Sequence, residues 1–257
     1  MIKVLFIGDI VGSAGRNLVK DYLGCHRKEV NLCIANGENA SGGVGLTPKI
    51  AEELFETGID VITTGNHIWD KKEIIPHIDQ YKNLLRPLNY PPQAPGHGSC
   101  IIKTDNDVTV GVINLAGRVF MPIVDCPFQK VLEEIDIIKK RTSIIFVDFH
   151  AEATSEKVAM GRFLDGKVSA VFGTHTHIQT ADECILPNKT AYITDVGMTG
   201  PSDSIIGVEV DIVLKRFLTG IPYGMKPALG KGVLSAVIVK ISSEGRAEEI
   251  QRIKEAC

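Results

Sequence analysis

Short apolar runs alternate with stretches of helical period along the first third of the chain, and polar residues gather where each run stops. Lys3 to Ile7 predicts a buried strand, and Ala14 to Arg27, with Leu18, Tyr22 and Leu23 apolar, predicts a helix. Asn31 to Ala35 is the next strand. After a Gly-rich loop, Thr47-Pro48 supplies an N-cap and first-turn pair for a helix running to about Thr57. Gly58 ends that helix, and Asp60 to Thr64 predicts a third strand. Alternation of this kind predicts an α/β chain with a parallel, right-handed βαβ sheet.

The middle of the chain changes pattern. Pro91, Pro92, Pro95, Gly96 and Gly98 break Asn89 to Gly98 into a surface crossing. Ser99 to Lys103 and Val108 to Leu115 predict neighbouring antiparallel strands turned by Asp105-Asn106-Asp107. A helix over Pro127 to Arg141 leads to strands at Ser143 to Phe149, Val168 to Phe172, Thr190 to Thr194 and Gly232 to Ile241. Arg246 to Ile253 reads as a last strand in preference to a short helix. No repeat, low-complexity run or linker interrupts the pattern. With 257 residues and 44% hydrophobic content, the expectation is one domain over 1–257 with a substantial core.

Composition narrows the function classes. A formal charge of −3 at pH 7 argues against a broad nucleic-acid or anionic-membrane surface, while a small phosphate ligand beside a metal stays compatible. No run approaches the roughly 20 apolar residues that span a bilayer, and the apolar start is too short for a signal peptide. The six cysteines are scattered, with no Cys-x-x-Cys pair, which predicts reduced thiols in a cytoplasmic protein. A homo-oligomer is compatible, although no heptad marks an interface.

The chemistry sits at the strand ends. Gly8-Asp9, Gly37-Glu38-Asn39, Gly65-Asn66-His67 and Gly173-Thr174-His175-Thr176-His177 each follow an apolar run, and His150 directly follows another. Open α/β sheets bind ligands just beyond the carboxyl ends of their strands. Carboxylate, amide and imidazole together suit manganese, iron or zinc, so the set predicts one shared site holding two metals. In extended chain, residues i and i+2 point to one side, so His175 and His177 would each address a different ion. Two ions roughly 3.5–4 Å apart would polarise a phosphoryl group and generate hydroxide at neutral pH. His67, next to a proposed ligand, is placed to protonate a leaving oxygen. Taken singly, Asp9 also reads as a helix N-cap, Glu38-Asn39 as a polar turn and Asn66 as an Asx-turn. The two histidines after a buried strand are the hardest to explain without a metal. Elsewhere, Arg118 reads as a phosphate contact or as an exposed loop residue, and Asp195 as a support for a bound histidine or a turn cap. Ser41 to Gly45 would offer backbone N–H groups to a substrate or serve only as a flexible crossing. His26, His77 and His97 match no ligand slot, and Trp69 reads as a packing residue.

These motifs resemble the calcineurin-like metallophosphoesterases and, more narrowly, their YmdB-like bacterial subfamily, with the similarity running from end to end. The loops Gly42-Gly43-Val44-Gly45-Leu46-Thr47-Pro48 and Thr194-Asp195-Val196-Gly197-Met198-Thr199-Gly200-Pro201 carry the narrower match. The resemblance implies a four-layer αββα sandwich, two central mixed β-sheets flanked by helices, with the di-metal site at the strand ends. It also implies a phosphoric ester hydrolase, a phosphodiesterase acting on small cyclic nucleotides of the 2',3'-cyclic and 3',5'-cyclic classes through a metal-bridging hydroxide. By motif, Asp9, Glu38, Asn39 and His177 hold one metal, and Glu38 bridges to a second that Asn66, His150 and His175 complete. His67 is then the general acid, with Arg118 and Asp195 as substrate-binding candidates. The wider superfamily has Gly-Asp-x-His in its first motif, whereas Val11 stands at the histidine position here, with Asn39 as its substitute. An oxygen ligand in place of nitrogen hardens that site, which puts iron or manganese ahead of zinc, with magnesium also fitting. Two rival readings share the site: a phosphomonoesterase or nucleotidase, and a nucleotide-sensing regulator with little turnover.

Overall fold

A computed structural model of the chain describes residues 1–256. The first stretch comprises β1 (Ile2–Ile7), β2 (Asp9–Ile10), α1 (Gly12–His26), β3 (Leu32–Asn36), α2 (Pro48–Glu56), β4 (Val61–Thr63) and β5 (Leu84–Leu85). The middle adds β6 (Ser99–Lys103), β7 (Thr109–Ala116), α3 (Pro127–Ile138), β8 (Ile145–His150), α4 (Thr154–Leu164), β9 (Ala170–Thr174), β10 (Cys184–Ile185) and β11 (Ala191–Ile193). The chain closes with β12 (Met198–Pro201), α5 (Val210–Thr219), β13 (Gly232–Ile241) and β14 (Ala247–Ala256).

Two mixed sheets result. The eight-stranded sheet runs β2-β12-β13-β1-β3-β4-β5, with β14 pairing to β13, and the six-stranded sheet runs β10-β11-β9-β8-β7-β6. Strands β1, β3, β4 and β5 are mutually parallel, as are β7, β8, β9 and β11, in keeping with the βαβ rhythm of the sequence. The inner faces of the two sheets meet in a core that includes Val4, Phe6, Ile34, Phe146, Phe172 and Val237. Phe172 stacks on Phe6 at 4.5 Å between ring centroids, with Phe146 at 6.4 Å on the same ring. On the outer face of the first sheet lie Val19 and Leu23 of α1 and Ala51 and Leu54 of α2; on that of the second lie Val131 and Ile135 of α3 and Met160 and Leu164 of α4. The architecture is therefore the four-layer sandwich expected from the sequence. Among the described residues, no helix is long and apolar enough to cross a membrane.

Local signals set several element ends. The Thr47 hydroxyl accepts the Ile50 N–H, Pro48 fills the first turn of α2, and Gly58 leaves the helix at φ +104. Of the stretch Arg246 to Ile253 read as strand, all but Arg246 belongs to β14, which runs on to Ala256. Helices α4 and α5 lie outside the elements that the sequence pattern predicts. The buried face of α4 includes Glu156 and Lys157, so polar residues interrupt its apolar stripe. In α5 only Val213 is buried while Phe217 and Leu218 stand in solvent, which inverts the usual signature.

Phe172 sits at the centre of the inter-sheet core with no exposed surface. Phe172→Ala is expected to cost about 3–5 kcal/mol, read from the urea unfolding midpoint at constant m-value; a loss below about 1 kcal/mol would mean that the sheets do not depend on this stack.

Candidate metal centre

The carboxyl ends of strands from both sheets meet at one edge, and the expected residues gather there. Asp9 opens β2 just beyond β1; Glu38 and Asn39 follow β3; Asn66 and His67 follow β4; His150 ends β8; His175 and His177 follow β9. Close approach at this edge requires a glycine: a Cβ on Gly65 would lie 2.2 Å from the His150 ring and 2.5 Å from Glu38 Oε2.

Three imidazoles are each tethered through one ring nitrogen and aimed inward through the other. His150 Nδ1 lies 3.0 Å from Thr174 Oγ1, His175 Nε2 lies 3.0 Å from Glu152 Oε2, and His177 Nδ1 lies 2.8 Å from the Ile206 carbonyl oxygen. Thr174 gives its own proton to Asp148 Oδ1 at 2.7 Å, so its oxygen accepts from His150. Outer partners of this kind fix the tautomer and leave a lone pair facing the centre. There His150 Nε2 is 3.1 Å from Glu38 Oε1, 3.1 Å from Asn66 Oδ1 and 2.9 Å from His175 Nδ1. His177 Nε2 is 3.1 Å from Asn39 Nδ2 and 3.9 Å from Asp9 Oδ1.

The donor set fits a metal on two grounds. One ligand atom each from Glu38, His150 and His175 lie within 4.8 Å of one another. Asp9 Oδ1 is buried without a hydrogen-bond partner, a costly state that a cation would relieve. Asn39 donates its amide to His177 Nε2 and, at 3.2 Å, to Glu38 Oε1; offering oxygen to a metal requires that amide turned over.

The electrostatics point the same way. Burial pushes the Asp9 carboxyl up, against the opposing pull of His177 and His150. Burial acts upward on Glu38 too, but His150 and His67 outweigh it and hold the carboxyl at about 2. Burial disfavours a charge on His150, yet Glu38, Asp9 and Asp148 together raise it to about 9. Burial and then the charge on His150 take His175 down to about 3. The buried carboxylates thus call for a compensating positive charge, which a bound metal ion would supply in place of a proton on His150 Nε2.

One expectation needs correcting. His175 and His177 do not share a side of an extended strand, because β9 stops at Thr174 and the two residues have φ values of 102° and 66°. Left-handed backbone at non-glycine residues is strained, and the strain has a visible restraint. Thr176, between the two histidines, donates its N–H and hydroxyl to Asp195 Oδ2 at 3.0 and 2.8 Å. The same oxygen accepts from Lys157 Nζ at 2.5 Å, with both side chains 1% exposed. Asp195 is accordingly enclosed and touches the peptide between the histidines, so it cannot meet a substrate. Arg118 is exposed and stands off the cavity wall, its backbone N–H turned to Glu156.

A cavity of about 450 Å³ opens over the cluster, lined by Glu38, His67, His175 and His177 together with Val44, Ile206 and Pro227. His67 donates its backbone N–H to Glu38 Oε2 at 3.1 Å, while its Nδ1 lies 2.7 Å from Asp70 Oδ2. Gly42 and Gly43 line the same space at positive φ. His77 and His97 are exposed, and Trp69 packs edge-on against Tyr90 at 6.1 Å. Sequence reasoning missed Glu152, Lys157, Asp148 and the 206–227 wall. Asp148 carried a signal, since it shares a strand face with His150 two residues on.

The fold and this donor set define a metallophosphoesterase-type centre, and comparison with known proteins agrees. The chain matches the family model described as YmdB-like protein over residues 5–253 and belongs to that family. It is 51% identical over 255 residues to the 2',3'-cyclic-nucleotide 2'-phosphodiesterase of Bacillus subtilis strain 168, covering 98% of this chain and 96% of that one. Among solved structures, a hypothetical protein from Thermus thermophilus superposes with a TM-score of 0.94 at 40% identity, covering 99% of each chain. A phosphatase from Mycoplasma pneumoniae superposes with a TM-score of 0.91 at 36% identity, covering 99% of this chain and 93% of the other. The chain is a phosphoric ester hydrolase of a family that works with divalent metal ions.

Lys157→Met strands a buried carboxylate and is expected to cost about 3–5 kcal/mol and to lower metal content although no ligand is removed. Adding Asp195→Asn removes that charge and is expected to recover much of the stability without restoring full metal content, because the Thr176 anchor stays weakened. Calorimetric unfolding and metal analysis of the two variants check both halves; a Lys157→Met protein with wild-type stability would contradict the reading.

Proposed function

We propose that this chain is a di-metal phosphodiesterase that opens small cyclic nucleotides, the 2',3'-cyclic class first and the 3',5'-cyclic class as a wider range. The observation that carries this reading is the set of three outwardly tethered imidazoles whose free nitrogens converge with Glu38 and Asn66 beside the partnerless oxygen of Asp9. The name of the Bacillus subtilis relative supports the substrate class. Asp9, Glu38, Asn39 and His177 would hold one ion, and Glu38, Asn66, His150 and His175 the other. Iron or manganese suits this oxygen-rich set better than zinc, with magnesium also compatible. When bound, the ions supply Lewis acidity toward the phosphoryl oxygens and lower the pKa of water.

The chain's own groups do the rest. Asp70 accepts from His67 Nδ1, which leaves Nε2 for the substrate; in the imidazolium form the Nε2 proton is the one to reach the departing ribose oxygen. Glu38 fixes the His67 backbone, tying the acid to the metal-holding carboxylate. Asp195 and Lys157 keep the histidine loop in its strained shape. The whole chain acts as one unit, and its dispersed free thiols suit a cytoplasmic setting.

The phosphatase naming of the Mycoplasma pneumoniae structure supports a second reading, a phosphomonoesterase on the same site. Hydrolysis of 2',3'-cyclic AMP against a nucleoside monophosphate by metal-loaded protein separates the two. His67→Ala is expected to slow diester cleavage about 10²–10⁴-fold with metal content kept, whereas Glu38→Ala is expected to lose metal as well. Undiminished turnover by His67→Ala would remove the acid role. Preference for the monoester would move the assignment to the phosphatase.

A further inference from the structure

The cavity over the metal-site residues is also lined by two cations that the cleavage reaction leaves unused. Arg216 of α5 and Lys226 both line the cavity, and neither forms an ion pair among the described residues. The one polar contact found for the Arg216 guanidinium is a weak one, Nη1 to Met225 Sδ at 3.9 Å. By contrast, the neighbouring Lys215 is occupied over the Tyr223 ring at 4.5 Å.

The Lys226 backbone and the turn that leads into α5 are both pinned to the site. The Ile206 carbonyl holds His177, the Ala228 N–H donates to Gly207 O at 2.9 Å, and the Glu209 N–H donates to Lys226 O at 3.0 Å. Pro227 packs so close to Gly43 that a Cβ there would meet its ring at 3.0 Å. The backbone of Lys226 is thus tied to the cavity wall, and its exposed side chain, like that of Arg216, lines the same space as apolar Val44 and Met225. A cavity of about 450 Å³ whose lining combines the metal-site residues Glu38, His175 and His177, the two cations and apolar side chains has room for a ligand with two anionic groups joined by a nucleoside.

We propose that Arg216 and Lys226 form a second phosphate subsite, which takes the 5'-phosphoryl group of the nucleotide whose cyclic phosphate lies at the metals. The inference rests on the cyclic-nucleotide reading above and narrows it. The favoured substrate class is a 2',3'-cyclic nucleotide bearing a 5'-phosphoryl group, either a free 5'-monoester or the diester link at the 3' end of an oligoribonucleotide. Guanidinium and ammonium both suit phosphate oxygens.

The test compares kcat/KM for adenosine 2',3'-cyclic phosphate, its 5'-phosphorylated form, and a short oligoribonucleotide ending in a 2',3'-cyclic phosphate. The wild-type protein is expected to favour the 5'-phosphorylated form about tenfold, through KM, with the preference shrinking as salt is raised. In Arg216→Ala/Lys226→Ala that ratio is expected to fall to about one, and a ratio cancels any general loss of activity. The oligoribonucleotide sharing the advantage would identify a diester as the natural occupant, and the monoester alone gaining would identify a mononucleotide. Equal kcat/KM for the plain and phosphorylated forms, or a preference that survives the double substitution, would overturn the subsite. If no cyclic nucleotide is turned over, the activity reading falls separately. Calorimetric binding then decides the subsite: adenosine 3',5'-bisphosphate bound more tightly than adenosine 3'-phosphate by wild type alone supports it, and equal affinities overturn it.

Discussion

A single buried carboxylate links the two sheets and aims the metal cluster. Asp148 lies on the inner face of β8, fully enclosed, with its pKa pushed up to about 7 chiefly by burial. Its oxygens accept from Thr63 of β4 at 2.5 Å, Asn36 of β3 at 3.1 Å and Thr174 of β9 at 2.7 Å. Thr174 passes the interaction on to His150 Nδ1. Four strands from two sheets therefore converge on one side chain. Burying such a group is costly unless every acceptor is used, and this requirement fixes how the strand ends of one sheet face those of the other. With that register set, Glu38 after β3, Asn66 after β4 and His175 after β9 reach a common point.

The second constraint is local. The chain beyond β9 must turn His175 inward through Nδ1 and His177 inward through Nε2, and extended backbone would not do this. Left-handed conformations at both histidines accomplish it at a cost of order 1–3 kcal/mol each, and the Lys157–Asp195 pair stands behind the peptide between them. Ion pairs this deeply buried are poor sources of net stability. What this one supplies is shape, since Asp195 satisfies both donors of Thr176 and also takes the Gly197 N–H at 2.7 Å. Helix α4 thereby contributes to the centre without offering any ligand.

These two constraints also explain what could be read in the sequence. Strands β1, β3 and β9 are near-continuous apolar runs because parallel strands covered on both faces bury every side chain, and polar residues just after them stand out. That is why the Asp9, Glu38, Asn66, His150, His175 and His177 positions are legible in the chain alone. Helix α4 is not, because Glu156 and Lys157 fill its buried face for electrostatic reasons that no apolar period records. Helix α5 is hidden for the opposite reason, with Phe217 80% and Leu218 84% exposed. The spacing of His175 and His177 suggests a strand geometry, and only the tertiary pairing of Asp195 with Lys157 shows why the chain departs from it. Asp195 itself stands out in the sequence, but its partner lies 38 residues earlier, beyond the reach of local pattern.

The departure at position 11 ties metal chemistry to the shape of the cavity. Where the wider superfamily places a histidine ligand, Val11 lines the cavity and carries no donor. It is held closely: a Cβ on Gly207 would lie 2.8 Å from Val11 Cγ1, and one on Gly200 would lie 2.9 Å from Val11 Cβ. The Gly207 turn packs on Val11, and the residue before it, Ile206, supplies the carbonyl that orients His177. The Asn39 amide nitrogen stands 3.1 Å from the free nitrogen of His177, so turning that amide over would place an oxygen close to where the nitrogen donor is missing. An amide in place of an imidazole would harden the surroundings of a bound ion, while Val11 makes that corner of the cavity apolar.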